Sequence, residues 1–240
     1  MRWSRDWVLQ PLVTAVFVIA LGELMHAFLP WQSSWLRGHL VSTWQPDYSR
    51  DLSDGLVADS RNGGFTFFVR HGDRDEEPDA IDRASLLNIV PSEHRRGLCL
   101  NELGRVESQI LGNFFRAAKI PIGEVIASPV CRARETAELS LGRVDRLDPS
   151  LILSTLLAPG EERAAQRMNL KKLLEQTPAA GTNRMLASHG AVLETIGYKN
   201  LNLSPAGMVI FQHTGEGPTI RSIVTLRDMI FALSAPGSLK

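Results

Sequence analysis

The stretch Phe65–Arg74 constrains the fold of this chain more than any other part of the sequence. It opens with five aromatic or β-branched residues, a composition that predicts a buried β-strand, and Gly72 marks the end of that strand. Arg70 and His71 stand at this end. Ligands of open α/β sheets bind at the carboxyl ends of the strands, so we expect both side chains to lie at a binding edge.

Two later stretches have the same arrangement. Glu124–Ala127 is a short apolar segment that runs into Ser128 and then into a helix-like segment carrying Arg132. Arg184–Ala187 runs in the same way into a serine and His189. If the three predicted strands are parallel neighbours, their carboxyl ends meet at one edge of a sheet. The side chains that would converge there are Arg70, His71, Arg74, Arg132 and His189.

These residue types together indicate phosphate chemistry. The planar guanidinium group of arginine forms paired hydrogen bonds with phosphate oxygens. A neutral imidazole can attack phosphorus while the cations stabilise charge on the phosphoryl oxygens. The arginines already supply positive charge, so we expect neither a metal nor a cofactor. The remaining histidines show no metal-ligand spacing; they are His26, His39, His94 and His213.

On the residues Arg70–Gly72, Ser128–Ala137 and Ser188–Gly190, the chain resembles the histidine phosphatase superfamily, which contains phosphoglycerate mutase and the histidine acid phosphatases. The resemblance extends from Phe65 to the C-terminus. It implies an α/β fold with a single mostly parallel sheet flanked by helices on both faces.

The same resemblance implies a role for each matching residue. His71 would be the phosphorylated nucleophile, and Arg70, Arg132 and His189 would hold the phosphoryl group. Arg74 matches a further pocket arginine found in part of the superfamily. Gly72 and Ser128 belong to the matching motifs and are expected to contribute to substrate binding.

Three glutamates are candidates for the proton donor of the predicted mechanism. Glu161 and Glu162 lie where phosphoglycerate mutase-like members place their general acid, and Glu162 is our candidate, although a carboxylate at a helix N-terminus also stabilises the helix dipole. Histidine acid phosphatases place an aspartate directly after the second histidine, where this chain has Gly190. Glu194 is a further, weaker candidate.

Two other phosphatase classes fit the sequence poorly. Asp73 and Asp75 resemble the start of the magnesium-dependent haloacid dehalogenase phosphatases, but Glu77 stands where that family has Thr or Val. A thiol phosphatase built on Cys131 would need an arginine where Ala137 stands. Cys99 and Cys131 are therefore either a disulfide, if the domain is exported, or two reduced thiols.

The sequence pattern also predicts the supporting elements. Glu102–Lys119 has the periodicity of an amphipathic helix, whose buried face would include Leu103, Val106 and Ile110. A second helix is predicted over Glu161–Gln176. The segments Met208–Phe211 and Ile220–Val224 flank a Gly-rich turn and predict a closing antiparallel hairpin at the sheet edge.

The N-terminus is mostly apolar from Trp7 to Trp31, after Arg2 and Arg5. Three interpretations stay open: an uncleaved membrane anchor, a cleaved signal peptide, or a buried helix of the soluble fold. Both membrane interpretations, combined with the two preceding arginines, place the remainder of the chain outside the cytoplasm.

The predicted organisation is a signal-anchor or signal-peptide helix over 1–32, a juxtamembrane linker over 33–62 and a histidine phosphatase domain over 63–240. The expected location is the periplasmic side of a membrane, anchored or released. The chain has 240 residues with 26 Lys and Arg against 26 Asp and Glu, so its charge indicates no nucleic-acid partner. The oligomeric state is not predictable.

The sequence thus predicts a phosphomonoesterase that uses a phosphohistidine intermediate on His71 and acts on a small phosphorylated substrate. One alternative is a catalytically idle module of the same fold that binds a phosphorylated ligand or protein. A phosphomutase is less well supported, because the apolar N-terminus indicates export away from cytoplasmic sugar phosphates.

Overall fold

The structure is a computed structural model that describes residues 52–75, 99–153, 157 and 159–235. These residues belong to one compact unit spanning Tyr48–Lys240. The hydrophobic helix predicted over 1–32, most of the 33–62 segment and most of the acidic loop after Asp73 lie outside the described residues. Within the described ranges, none of the helices has the length and hydropathy needed to cross a bilayer.

Six strands and five α-helices make up the described part of the chain. The strands are β1 (Phe65–Arg70), β2 (Ile122–Ala127), β3 (Arg146–Leu147), β4 (Asn183–Ser188), β5 (Met208–Thr214) and β6 (Gly217–Val224). The helices are α1 (Asp54–Arg61), α2 (Glu102–Ala117), α3 (Cys131–Leu141), α4 (Glu161–Glu175) and α5 (Leu226–Ser234). Two 3₁₀ helices cover Pro149–Leu151 and Gly190–Ile196. The strands, the two amphipathic helices and the closing hairpin that the sequence predicts between Phe65 and Val224 are present.

The strands form one sheet in the order β3-β2-β4-β1-β5-β6. The pairs β2–β3, β2–β4 and β1–β4 are parallel, whereas β5 is antiparallel to β1 and to the edge strand β6. The prediction of a mostly parallel sheet with an antiparallel edge hairpin is therefore confirmed.

Helices cover both faces of the sheet, because alternate residues of each buried strand point to opposite sides. On β1, Phe67 and Val69 pack on one face with side chains of α1, α2, α3 and α5. Phe68 lies on the other face with the apolar side chains of α4 and of the two 3₁₀ helices. α1 falls inside the 33–62 segment, and its Leu56 and Val57 belong to the first core.

The buried face of α2 differs from the prediction. Leu103 and Val106 are 57% and 51% exposed, while Gly104, Glu107 and Ser108 are buried. The first two turns of this helix pack against the segment that follows β1, where close backbone contact requires small residues. The apolar face begins only at Leu111, where α2 reaches the core.

The register of the parallel strands determines where the site lies. Arg70 at the end of β1 pairs with Ser188 at the end of β4, and Ala127 at the end of β2 pairs with Ala187. Backbone hydrogen bonds continue one residue further, from His71 N to the Ser188 carbonyl and from Ser128 N to the Ala187 carbonyl, each 2.9 Å. The three predicted strand-end motifs therefore meet at one edge of the sheet.

Candidate active site

His71 is held in a defined tautomer at the end of β1. Its Nδ1 lies 2.7 Å from the carbonyl oxygen of Gly72, which can only accept a hydrogen bond, so Nδ1 carries the proton. Nε2 then carries the lone pair, and Arg132 Nε donates to it across 3.1 Å. The ring is 5% exposed. The nitrogen that can act as a nucleophile is thus the one that faces the arginine.

Burial keeps His71 neutral. Desolvation, followed by the positive charge of Arg132, lowers the pKa of His71 from 6.5 to about 3. Burial and Arg132 likewise lower the pKa of His189 well below its ordinary value. An unprotonated imidazole is the form that can attack an electrophile.

His189 stands directly beside His71. The two ring centroids are 5.2 Å apart and the rings are nearly perpendicular. His189 Nε2 is 3.2 Å from the Ser128 hydroxyl, and its buried Nδ1 has no hydrogen-bond partner among the described residues. A polar atom buried in this way is placed to contact a bound molecule, because leaving it unpaired is costly.

A cavity of about 320 Å³ opens over these two histidines. Arg70, Arg74 and Arg132 line it, so three guanidinium groups surround the imidazole rings. Burial, followed by the charge of Arg74, lowers the pKa of Arg70. The remaining wall comes from Leu153, Gly190, Ala191, Glu194, Leu201, Asn202 and Leu203. The cavity combines a nucleophile with cations suited to a phosphoryl group.

The structure brings five of the eight predicted site residues to this cavity, namely Arg70, His71, Arg74, Arg132 and His189. Ser128 is buried behind His189, where its hydroxyl contacts that ring. Gly72 also lies behind the nucleophile, and its backbone N–H donates to the Thr136 hydroxyl across 3.0 Å. Both residues position the histidines rather than line the cavity.

Glu162 lines a different cavity, of about 270 Å³, together with Pro129, Ile152 and Gln166. It does not line the cavity over His71, and its role as proton donor remains a prediction. Glu194, the weaker candidate, is the carboxylate that lines the first cavity among the described residues.

Glycines let the catalytic segment approach α2. A Cβ on Gly72 would lie 2.5 Å from the Gly104 carbonyl oxygen, and a Cβ on Gly104 would overlap the Asp73 carbonyl. Asp73 N donates to the buried Glu107 carboxylate across 2.6 Å, and Asn101, the N-cap of α2, donates to the Asp73 carboxylate. The first two turns of α2 thus hold the chain immediately after His71.

A disulfide joins Cys99 to Cys131, whose Cα atoms are 4.9 Å apart. Cys131 is the first residue of α3 and directly precedes Arg132. Cys99 stands two residues before Asn101, the N-cap of α2. Buried Glu135 adds a second link, because it accepts a hydrogen bond from Leu100 N. The starts of the two helices that hold His71 are therefore tied together.

The sequence did not reveal the walls of the cavity. Asn202 lines it with a φ of 44°, in the left-handed region, and Asn200 has a φ of 61°. Asparagine adopts this backbone more readily than most residues, so the two asparagines around Leu201 were the available signal. Thr136, four residues after Arg132 in α3, is a supporting residue whose hydroxyl donates to the Arg132 carbonyl.

The comparison with known families agrees with this geometry. The sequence profile of the histidine phosphatase superfamily (branch 1) matches residues 66–152. The predicted resemblance to the histidine phosphatase superfamily is thus confirmed over these residues. The match covers β1, α2, β2 and α3, the elements that carry the histidine phosphatase motifs around His71 and Arg132.

Several solved structures are similar in fold to this chain. The protein histidine phosphatase SixA, solved with tungstate, is 17% identical, covering 69% of this chain and 99% of that chain with a TM-score of 0.49. A phosphoserine phosphatase variant from Entamoeba histolytica, solved with phosphoserine, is 14% identical, covering 68% and 98%, with a TM-score of 0.45. An open reading frame product of Mycobacterium tuberculosis is 16% identical, covering 69% and 100%, with a TM-score of 0.46. No curated protein sequence matches the chain significantly.

Proposed function

We propose that this protein is a phosphomonoesterase that forms a phosphohistidine intermediate on His71. The observation that carries the proposal is the hydrogen bond from His71 Nδ1 to the Gly72 carbonyl, which directs the lone pair of Nε2 toward Arg132. Burial keeps the ring neutral, and the cavity in front of it is lined by three arginines. A nucleophile, a cation cluster and a defined tautomer are the parts that phosphoryl transfer needs.

The first step transfers the phosphoryl group from substrate to enzyme. His71 Nε2 attacks phosphorus in line with the leaving oxygen, so a P–N bond forms as the P–O bond breaks. Arg132 donates to Nε2 in the free protein and is placed to turn its donors to the phosphoryl oxygens when substrate enters. Arg70, Arg74 and His189 Nδ1 would bind the remaining oxygens, which stabilises their charge in the transition state.

The second step returns the enzyme to its starting state. Water attacks phosphorus, the P–N bond breaks and inorganic phosphate leaves, so His71 recovers its lone pair. The leaving oxygen of the first step needs a proton when its alkoxide is basic. Glu162 remains our sequence-based candidate for that donor, although it lines the neighbouring cavity.

The proposal is tested with p-nitrophenyl phosphate, whose phenolate departs without a proton and so reports on the nucleophile alone. We expect the purified full-length chain to hydrolyse it in the presence of EDTA. His71→Ala should lower kcat by roughly a thousandfold or more, because it removes the proposed nucleophile. Undiminished activity of His71→Ala would exclude the mechanism.

His213→Ala is the matched control for this experiment. His213 lies in β5 and bonds Thr66, at the opposite end of β1 from His71. Its replacement removes an imidazole of the same size without touching the cavity, so kcat should change little. Loss of activity on addition of EDTA would instead favour a metal-dependent mechanism on Asp73.

We further propose that the domain is exported and remains on the outer side of the cytoplasmic membrane, anchored or released. Support comes from the apolar run between Trp7 and Trp31, the preceding Arg2 and Arg5, and the Cys99–Cys131 disulfide. Disulfides persist in oxidising compartments and are rare in the cytosol.

A fusion of alkaline phosphatase after Lys240 tests the orientation in a bacterial host, since that reporter is active only outside the cytoplasm. We expect an active fusion. A stable but inactive fusion would contradict export, and deletion of residues 1–32 provides the matched control that should abolish activity of the reporter.

A further inference from the structure

The cavity over His71 has two chemically different halves. His71, Arg132 and His189 form one half and are 5%, 1% and 2% exposed, so this half is deeply buried and carries the positive charge of Arg132. The opposite half comes from Leu153, from the 3₁₀ helix after His189 and from residues 201–203. A phosphoryl group bound at His71 would place its leaving group against this second half, because nucleophile and leaving oxygen lie on opposite sides of phosphorus.

Glu194 is the unexpected group in this second half. It is an exposed carboxylate, and the other charged side chains that line this cavity among the described residues are arginines. Val192 and Leu193 beside it are buried in the core, so the helix turn that carries Glu194 is held in place. A negative charge near a phosphate dianion opposes binding unless the substrate brings a positive charge of its own.

Asn202 supplies a second polar group on the same side. Its φ of 44° and the φ of 61° at Asn200 place both residues in the left-handed region, where residues other than glycine are uncommon. Strained backbone of this kind is typical of binding sites. The Arg70 guanidinium donates to the carbonyl of Leu203, the next residue, so this wall is attached directly to the phosphate-binding half.

We propose that Glu194 and Asn202 form a leaving-group subsite that selects phosphomonoesters carrying an ammonium group a few atoms from the ester oxygen. The ammonium would pair with the Glu194 carboxylate, Asn202 would donate or accept a hydrogen bond, and Leu153 and Leu201 would contact the aliphatic part. The cavity of about 320 Å³ has room for a small molecule of this kind. This inference rests on the proposed phosphatase function and names its substrate class.

The test compares two substrates of nearly equal size, 2-aminoethyl phosphate and propyl phosphate, which differ by an ammonium in place of a methyl group. The measured quantity is the ratio of their kcat/KM values in the full-length protein. We expect Glu194→Gln to lower this ratio by roughly three- to tenfold, the range that a partly exposed ion pair provides. Glu194→Lys should lower it further, because it places like charges together.

Glu216→Gln is the matched control, since Glu216 is exposed in the β5–β6 turn away from the cavity. Its ratio should equal that of the wild type. A Glu194→Gln ratio equal to the wild-type ratio overturns the inference. An equal loss on both substrates also overturns it, because that result assigns Glu194 to proton transfer or to support of the fold.

A binding measurement separates this inference from the proposed function. Calorimetry on His71→Ala protein gives the affinities of both phosphate esters without turnover. The inference predicts that His71→Ala protein binds 2-aminoethyl phosphate more tightly than propyl phosphate, and that this difference disappears in the His71→Ala, Glu194→Gln double variant. This result supports the subsite even if the wild type hydrolyses no ester. Equal affinities of the two esters overturn the subsite, whereas lack of p-nitrophenyl phosphate hydrolysis counts only against the phosphatase.

Discussion

At the scale of single residues, the account depends on the state of His71. A histidine on a protein surface would be partly protonated near neutral pH, and a protonated ring cannot attack phosphorus. Burial and Arg132 lower its pKa to about 3, so the nucleophile stays neutral under physiological conditions. The neighbouring arginines therefore serve two purposes, since they bind the substrate and also keep the nucleophile unprotonated.

This lowered pKa has a consequence for stability. Between about 3 and the ordinary value of 6.5, the unfolded chain binds a proton at His71 that the folded chain does not. Acid therefore favours unfolding. The contribution of neutral His71 to the free energy of unfolding is fully present above pH 6.5 and is lost as the pH falls toward 3. At pH 5 the loss should be about 2 kcal/mol from this one group.

Urea denaturation at pH 7 and pH 5 measures the effect. His71→Gln carries no titratable group at this position. Between pH 7 and pH 5, the free energy of unfolding should therefore fall by about 2 kcal/mol more in the wild type than in this variant. His189 is present in both proteins, so its own contribution to the pH dependence cancels when the two are compared. Equal pH dependence of the two proteins would show that His71 is not held neutral by the fold.

At the scale of elements, the starts of α2 and α3 support the nucleophile. Asn101 and Glu107 on α2 hold Asp73, and Thr136 on α3 accepts from Gly72 N. The Cys99–Cys131 disulfide joins the two helix starts next to these contacts. Geometry at His71 is thus set by helices rather than by a free loop, which suits a reaction that needs accurate alignment.

The disulfide should contribute about 4 kcal/mol to the free energy of unfolding, because it closes a loop with a sequence separation of 32 residues. Replacing both cysteines by serine should reduce stability by that amount in urea denaturation, and dithiothreitol should do the same to the wild type. Dithiothreitol should leave the stability of the serine variant unchanged, because that variant has no disulfide. The serine variant is therefore the control for other effects of the reductant. A wild type indifferent to reductant would mean that the thiols are not bonded in solution.

α2 also shows where sequence reasoning failed. Its bounds and its amphipathic character followed from the periodicity, but the pattern placed Leu103 and Val106 inside, and both are exposed. Gly104 and Glu107 occupy the buried positions, because this part of the helix faces the backbone after His71 and not an apolar core. Hydrophobic periodicity cannot anticipate a helix face that packs against a polar site.

At the scale of the whole molecule, the strand-end motifs were enough to predict the α/β class, the parallel strands and the group of five residues around the cavity. Each motif combines a buried strand with an abrupt polar end, and these features are local in sequence. Strand order was not predictable in the same way, since β4 inserts between β1 and β2 through pairing of distant segments. The cavity wall at Glu194 and Asn202 likewise depends on how the segment after β4 folds back over His71.

The most direct test of the central claim is the intact mass of the full-length protein after a brief reaction with p-nitrophenyl phosphate, quenched either in acid or in alkali. The account predicts a phosphoryl adduct that survives alkali, is lost in acid, maps to His71 and is absent in His71→Ala. Turnover without such an adduct, or an adduct on another residue, would contradict the phosphohistidine mechanism. Absence of both adduct and turnover across phosphoesters would instead favour a module that binds phosphorylated ligands.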